Sequence, residues 1–445
     1  MSITNQDMNA SLDLYLIYLL PILIFWVLYA FNKKRNSNKN LRLQMEEHEA
    51  GLTEPASLHP VIDPAKCMGC GTCVSACPEG HNHPVLGLIN GKGQLIAPTN
   101  CIGHGACKTA CPFDAISLVF GTAKRGVDIP VLSPEYETNM PGIYIAGELG
   151  GMGLIRNAIE QGYRSMDSIA ARVGGSSQDR LDVVIVGAGP AGFSASLRAM
   201  EKKLRFVTVE QESLGGTVFQ FPRGKLVMTS SVRLPIYGEV KFSEISKEKL
   251  LKFWQEVEQK TGVNINYRER VISITRTDRG YNVKTDRHSY ATRTILLCIG
   301  RRGTPRKLGV EGEDLSKVTY RLIDPEQYRD QHVLVVGGGD SALEAATSIA
   351  EEPGTTVTLS YRSGSFGRAK RKNRERVDTA VQKGRLNLLL NSNIKSFSEE
   401  TVTIEQQGEM LEIPNHAAIV CAGGILPTGF LKEIGINVET KHGTA

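Results

Sequence analysis

Seven of the nine cysteines in this 445-residue chain fall between Cys67 and Cys111. In Cys67-x2-Cys70-x2-Cys73-x3-Cys77-Pro78 a short loop can wrap one iron–sulfur cluster with three thiolates while the fourth reaches a neighbouring cluster. The pattern returns as Cys101-x5-Cys107-x3-Cys111-Pro112, with His104 where the second cysteine would stand. Clustered thiolates need a reducing compartment, so metal is favoured over a disulfide framework; zinc is the bland alternative. Gly69, Gly71, Gly103, Gly105 and Ala106 let backbone N–H groups approach the sulfurs and tune their potential. His104 leaves three outcomes open. It ligates iron and, less negative than thiolate, raises the potential; it stands beside a three-iron cluster; or there is no second cluster. His81 and His83, in the loop 79–84, read as a solvated turn.

A second chemistry is carried by glycines. The apolar stretch 181–186 runs into Gly187-Ala188-Gly189-Pro190-Ala191-Gly192 and then a helix, so unpaired N–H groups at the helix start can face a pyrophosphate. Glu210 follows at the distance expected of a partner for a ribose 2′-hydroxyl. Gly187, Gly189, Gly192 and Glu210 are therefore read as an FAD site. Another strand, 332–336, opens into Gly337-Gly338-Gly339-Asp340-Ser341-Ala342, with Ala342 in the third-glycine place. The strand after it ends in Arg362 rather than an acid, and Arg368, Lys370 and Arg371 follow. An arginine can pair with a 2′-phosphate, so NADPH is favoured over NADH. The later residues of 368–376 read as a solvated helix face, and without interleaved aromatics no nucleic-acid partner is expected.

These motifs need elements to hold them, and the chain is long enough for two to four domains with real cores. The net charge of +5 is mild. Residues 14–31 are nearly uninterrupted apolar sequence, just long enough as a helix to cross a hydrocarbon core of ~30 Å. Tyr15, Tyr18, Trp26 and Tyr29 suit its interfaces, and lipid tolerates Pro21. Lys33, Lys34, Arg35, Lys39 and Arg42 would keep the following end inside. The expectation is a single-pass protein of a bacterial inner membrane, its soluble body in the cytoplasm. A buried core helix is the alternative, and a cleaved signal peptide is disfavoured by the lack of Lys or Arg ahead of the run.

The segment 61–120 resembles the two-cluster bacterial ferredoxins. That resemblance implies a compact βαβ pair in which one cluster takes Cys67, Cys70, Cys73 and Cys111, and the other takes Cys77, Cys101 and Cys107, with His104 in the open place. Pro141-Gly142-Ile143-Tyr144-Ile145-Ala146-Gly147-Glu148, with the helical pattern after it, resembles the closing segment of thioredoxin reductase-like pyridine nucleotide–disulfide oxidoreductases. The resemblance gives Gly147 and Glu148 the flavin's ribityl chain, although the family usually has Asp in the second place. In that family the segment comes last, whereas here it precedes the first glycine turn. The flavoprotein therefore reads as circularly permuted, which close surface termini would allow.

Leu214-Gly215-Gly216-Thr217-Val218 completes this picture. Glutathione reductase-type enzymes carry a redox cysteine straight after such a Gly-Gly-Thr, and here Val218 takes its place. Gly216 and Thr217 are kept as cofactor residues. Cys298 and Cys421, at the ends of apolar strands, read as buried core thiols, so no dithiol relay is expected.

The expected fold class is α/β: two Rossmann-like dinucleotide-binding domains for FAD and NADPH, a small α+β ferredoxin domain, and one N-terminal transmembrane helix. Its divisions are an extracytoplasmic tail at 1–13, the span at 14–31, a juxtamembrane tether at 32–60, the dicluster domain at 61–120 and the permuted closing segment at 126–173. A short flexible linker at 174–178 leads into the FAD domain at 181–305, the NADPH domain at 306–422 and a return to the FAD domain at 423–445. Expected function is electron transfer between NADPH, FAD and two clusters, in either direction, with a redox protein or a membrane electron carrier as partner. A homodimer is entertained, with no residue that argues for it. One alternative is NADPH-dependent reduction of a small disulfide or similar acceptor at the flavin, as in the bacillithiol disulfide reductases to which the chain is similar, with accessory clusters. Another is a non-catalytic redox sensor. No residue is nominated as general acid or base, because the chemistry would belong to the cofactors.

Overall fold

A computed structural model describes the chain except residues 1–4, 56–57, 82–83, 124, 152, 175–178, 222, 224–225, 229–230, 241–243, 368 and 444–445. Side chains are described from Tyr18 onward, apart from those residues and 81, 226, 228 and 244. The side chain of His81, the whole of His83, the linker glycine and serines at 175–178, and Arg368 therefore lie outside what is described, so the expected solvated turn is untested. Contacts divide the chain into two units, 1–118 and 119–444.

The first unit opens with helix α1 (Asn5–Glu49). Among the described residues no helix is long and apolar enough to cross a membrane. This overturns the expected span at 14–31, the tail outside it and the inner-membrane location. The apolar run is not a separate element but one part of the longer helix α1. The same helix then continues without a break through the polar residues expected as a tether. There Ser37 Oγ accepts from the Asn90 N–H at 3.0 Å, Asn40 Nδ2 donates to the Leu88 carbonyl at 3.0 Å, and Gln44 Nε2 donates to Gln94 and to the Leu95 carbonyl, each at 3.2 Å. Ser37, Asn40 and Gln44 thus dock this helix on the hairpin, while Lys33, Lys34, Arg35, Lys39 and Arg42 stay exposed.

The body under that helix is two similar halves. Strand β1 (His59–Ile62) is followed by the single-turn helix α2 (Thr72–Ser75), the antiparallel hairpin β2 (Leu86–Ile89) and β3 (Lys92–Leu95), a second single-turn helix α3 (Ala106–Thr109) and β4 (Ile116–Val119), which pairs with β1. Gly71 and Gly105 cap the two short helices, which bury Cys73 and Cys107 respectively. Few apolar residues line this interior: Val85, Leu86 and Ile116 share it with Cys73, Cys77, Cys101 and Cys107.

The second unit begins with β5 (Val127–Pro130), β6 (Ile143–Ile145) and helix α4 (Ile155–Val173). Then come β7 (Leu181–Val186), α5 (Pro190–Glu201), β8 (Phe206–Glu210), β9 (Asn266–Tyr267), β10 (Val271–Thr277), β11 (Gly280–Thr285) and β12 (Ser289–Leu297). They make one sheet in the order β9-β8-β7-β12-β11-β10. Strand β12 is long enough to serve two neighbours on one side: its first half pairs antiparallel with β11, and Ile295 to Leu297 pair parallel with β6. All three β6 residues are buried, and β7 is buried from Asp182 to Val186, as strands covered on both faces must be.

A second, all-parallel sheet follows. It is built from β13 (Val318–Thr319), β14 (His332–Val336), helix α6 (Asp340–Ile349), β15 (Thr356–Tyr361), β16 (Leu386–Leu390) and β17 (Ala417–Val420), with strand order β13-β17-β14-β15-β16. The last strand, β18 (Val438–Lys441), returns to pair antiparallel with β5. Parallel strands joined through helices are the doubly wound pattern, with ligands at the carboxyl ends of the strands.

Candidate functional site: two cysteine hollows and two glycine turns

The cysteines line two separate hollows. Cys67, Cys70, Cys73 and Cys111 surround one, together with Gly69, Gly71 and Ala115. Cys77, Cys101, Cys107 and His104 surround the other, with Gly103, Gly105 and Glu79. Each set draws a cysteine from the other half of the sequence, which is what the crossed spacing requires. Among the described residues no three His, Cys, Asp or Glu side chains converge tightly enough for a single metal ion. The four candidate ligands around each hollow fit the donor set of an iron–sulfur cluster.

Electrostatics point the same way. Burial and neighbouring thiolates push Cys73 up to about 11, and burial with Cys101 beside it does the same for Cys107. Thiolates gathered in so small a space need compensating positive charge, which a bound metal centre would supply. Cys70 is the exposed member, and hydrogen bonding to Thr72, at 3.1 Å from its sulfur, lowers its pKa. Backbone N–H groups reach the sulfurs from Gly93 to Cys67 at 3.3 Å and from Ala115 to Cys111 at 3.4 Å. Sequence reasoning looked for such donors between the cysteines and missed these two, because they arrive from the hairpin and from the end of the loop. His104 keeps Nε2 buried without a hydrogen-bond partner. Desolvation lowers its pKa, against Glu79 and the Ala76 backbone, which raise it.

In the second unit the first glycine turn joins β7 to α5. Gly187 has φ +102°, and a Cβ there would stand 2.5 Å from the Cys298 carbonyl oxygen. A Cβ on Gly192 would collide with the Gly187 carbonyl oxygen at 1.8 Å. Only glycine permits the chain to turn this tightly at the end of the strand. Gly189 caps α5 with no side-chain hydrogen bond, so the helix's first N–H groups are left for an anion. Glu210 is buried, and its carboxylate accepts from the Ala188 N–H at 2.7 Å and the Glu212 N–H at 2.8 Å. Burial raises its pKa and the two N–H groups oppose that.

Three further expected residues come to this turn. A Cβ on Gly216 would stand 3.1 Å from Gly189 Cα, and Thr217 Oγ1 lies 3.8 Å from where a Gly300 Cβ would be. Gly147 reaches the same helix: its N–H donates to Gln161 Oε1 at 2.8 Å, and a Cβ on it would stand 3.1 Å from Ala191 Cβ. Glu148 beside it opens to the surface; desolvation raises its pKa, while Arg301 and Arg302 lower it. Gly147, Gly187, Gly189, Gly192, Glu210, Gly216 and Thr217 thus gather around one turn that could hold the pyrophosphate and ribose of a dinucleotide.

The second turn repeats the first. Gly337 has φ +141°, and a Cβ there would stand 2.4 Å from the Cys421 carbonyl oxygen, just as Gly187 meets Cys298. In each, the cysteine N–H donates to the last carbonyl of the strand before the turn, Val186 or Val336, at 2.7 Å. Ala342 packs against Gly337, and Gly339 caps α6 without a side-chain bond. Arg362 is exposed at the end of β15. Sequence reasoning missed Tyr361, whose ring stacks on Phe366 with centroids 5.5 Å apart and lies so near Gly338 that a Cβ there would be 2.3 Å away. It also missed Asp340, an acid in the first turn of α6. Its Oδ1 accepts from the Lys370 N–H and from Asn373 Nδ2, both at 2.8 Å, and so fastens the basic segment beside the turn.

Residues 184–444 match the family model of pyridine nucleotide-disulphide oxidoreductases, and residues 59–112 match that of a 4Fe-4S dicluster domain. Over 265 residues, 59% of this chain and 83% of the relative, the sequence is 28% identical to a ferredoxin–NADP reductase of Ignicoccus hospitalis. It is 24% identical over 267 residues to the bacilliredoxin reductase Bdr of Bacillus subtilis, covering 58% and 82% of the two chains. The bacillithiol disulfide reductase Bdr of Staphylococcus aureus is a structural relative, at 26% identity and TM-score 0.52, over 58% of this chain and 81% of that one. With the glycine turns and cysteine loops in place, the chain belongs to the pyridine nucleotide-disulphide oxidoreductase family and is an NAD(P)H-dependent FAD oxidoreductase carrying a 4Fe-4S domain.

Proposed function

We propose that this flavoenzyme passes electrons between NADPH, FAD and two iron–sulfur clusters, to or from a redox partner protein such as a ferredoxin. One observation carries the reading: the flavoprotein unit has no thiol pair to relay electrons. Val218 stands where the glutathione reductase type has a redox cysteine. Cys298 is buried, Cys421 is mostly so, and burial raises both thiols, Cys421 to about 11. The other seven cysteines line the two hollows. FAD, when bound, accepts a hydride from reduced nicotinamide and can release its electrons singly. The protein's part is to hold the pyrophosphate on the α5 N-terminus, the ribose on Glu210, and a nicotinamide dinucleotide on the second turn with Arg362 toward a 2′-phosphate. Arg368 is assigned to the same phosphate from sequence.

The ferredoxin–NADP reductase likeness supports a ferredoxin-type partner. The Bdr likeness favours a second reading, direct reduction of a small disulfide at the flavin. Potentiometric EPR of the purified chain, with flavin and iron assays, separates them. Two clusters that fill with electrons from NADPH support the first reading. Clusters that NADPH never reduces, with a disulfide consumed at the flavin, support the second.

We further infer that 126–173 is the family's closing segment moved ahead of the first turn. Supporting this, β6 lies against β12, Gly147 lies against α5, and β5 pairs with the chain's last strand. The family match begins only at 184, after this segment. A chain re-ordered so that 126–173 follow the C-terminus should still bind FAD and oxidise NADPH. Failure to retain flavin would count against it.

A further inference from the structure

We propose that Nε2 of His104 is the fourth protein ligand of the second iron–sulfur cluster, completing a set with Cys77, Cys101 and Cys107. Ligation by His104 presupposes the two-cluster reading given above and says what distinguishes the second cluster from the first.

Three independent observations meet at this nitrogen. The two halves of the first unit correspond position by position: 67 with 101, 71 with 105, 73 with 107 and 77 with 111. The same offset carries Cys70 to His104. Second, His104 lines the hollow that holds the other three cysteines, as Cys70 lines its own. Third, His104 Nε2 is buried and makes no hydrogen bond. A neutral imidazole with that nitrogen unprotonated offers its lone pair to a metal, as ligating histidines do. Leaving a buried nitrogen unpaired is unfavourable, and an iron in the hollow removes that penalty.

The consequence concerns the order in which electrons settle. A neutral imidazole brings one negative charge fewer than a thiolate, so the second cluster holds an added electron more easily than the all-cysteine cluster. Electrons entering this unit come to rest first on the cluster at His104. Glu79 also lines that hollow, so a carboxylate oxygen is the competing ligand.

The test uses the full chain with FAD and clusters in place, reduced with dithionite. Pulsed EPR on protein labelled with nitrogen-15 histidine should show a directly bound nitrogen on one of two clusters, with about eight irons per chain. His104→Cys should keep the iron count, abolish the nitrogen coupling and shift that cluster's midpoint potential downward. His104→Ala should lose the coupling and leave a three-iron centre. In both variants the unaltered signal of the first cluster reports that the unit has folded. Two four-iron clusters without bound nitrogen, or a three-iron centre in the unaltered protein, would overturn the assignment while leaving the two-cluster reading standing. Iron and EPR signals for a single cluster would overturn both. The labelled wild-type measurement is decisive even if neither variant folds.

Discussion

Gly162 of α4 lies against Ala191 of α5 so closely that a Cβ on the glycine would stand 2.0 Å from the Ala191 carbonyl oxygen. The contact clamps the segment before the first glycine turn onto α5, the helix assigned to the pyrophosphate in the proposed reading. Gly162→Val should lower stability by about 1–3 kcal/mol or more, because two backbones would have to part. It should also weaken flavin retention. Thermal unfolding with flavin release as a second signal checks this, and Arg164→Ala on the exposed side of α4 should change little.

In the proposed reading, specificity for the nicotinamide dinucleotide rests on Arg362. Replacing it with Ala removes a charge-assisted bond to the 2′-phosphate, about 1.5–3 kcal/mol, and should raise KM for NADPH roughly 10- to 100-fold. KM for NADH should stay nearly constant. Equal losses with both nucleotides would show that Arg362 does not read the 2′-phosphate.

Acid sensitivity should trace partly to Glu269, whose N–H donates to the Glu210 carbonyl at 2.9 Å. Burial works to raise its pKa, but hydrogen bonds with Thr285, Tyr290 and His288 outweigh burial and hold it below the ordinary carboxylate value. A depressed folded pKa means that the stabilisation is complete above the unfolded value of about 4.3 and is lost as pH falls through the folded one. Glu269→Gln should therefore be less stable than the parent at neutral pH, by about 1–3 kcal/mol. The gap should close on acidification below about pH 4. Denaturant unfolding across pH measures it, and a gap that is constant with pH would refute the assignment.

Cluster removal should unfold one unit and spare the other. The interior of 59–118 shares its space between four cysteines and a few apolar side chains, too small a core to stand alone. The second unit has extensive apolar clusters of its own around β7, β12 and β14. Oxidative loss of iron should abolish protection of amide hydrogens in 59–118 while FAD remains bound. Full protection in the iron-free protein would contradict this.

The residues that chemistry constrains were the ones sequence could identify. Cysteine spacing and the Gly187 and Gly337 turns are dictated locally, by how far a loop can reach around a cluster or how tightly a strand can turn. Gly93 and Ala115 approach the sulfurs from distant sequence, and Tyr361 finds Gly338 only through the packing of β15, so no spacing announced them. Strand β6 has three residues, too few for a period, and was recognisable only through resemblance. Hydropathy misled at 14–31, since apolar composition says nothing about what a helix goes on to do. The polar anchors Asn40 and Gln44, which fasten α1 to the hairpin, carry no apolar periodicity by which they could be found.

The central claim is that electrons from reduced nicotinamide reach the clusters through the flavin. Rapid mixing of the oxygen-free protein with NADPH, followed at flavin and cluster wavelengths and by freeze-quench EPR, tests it most directly. Flavin bleaching followed by cluster reduction, at a rate no slower than steady-state turnover, is the predicted result. Flavin reduced within turnover time while both clusters stay oxidised would contradict it.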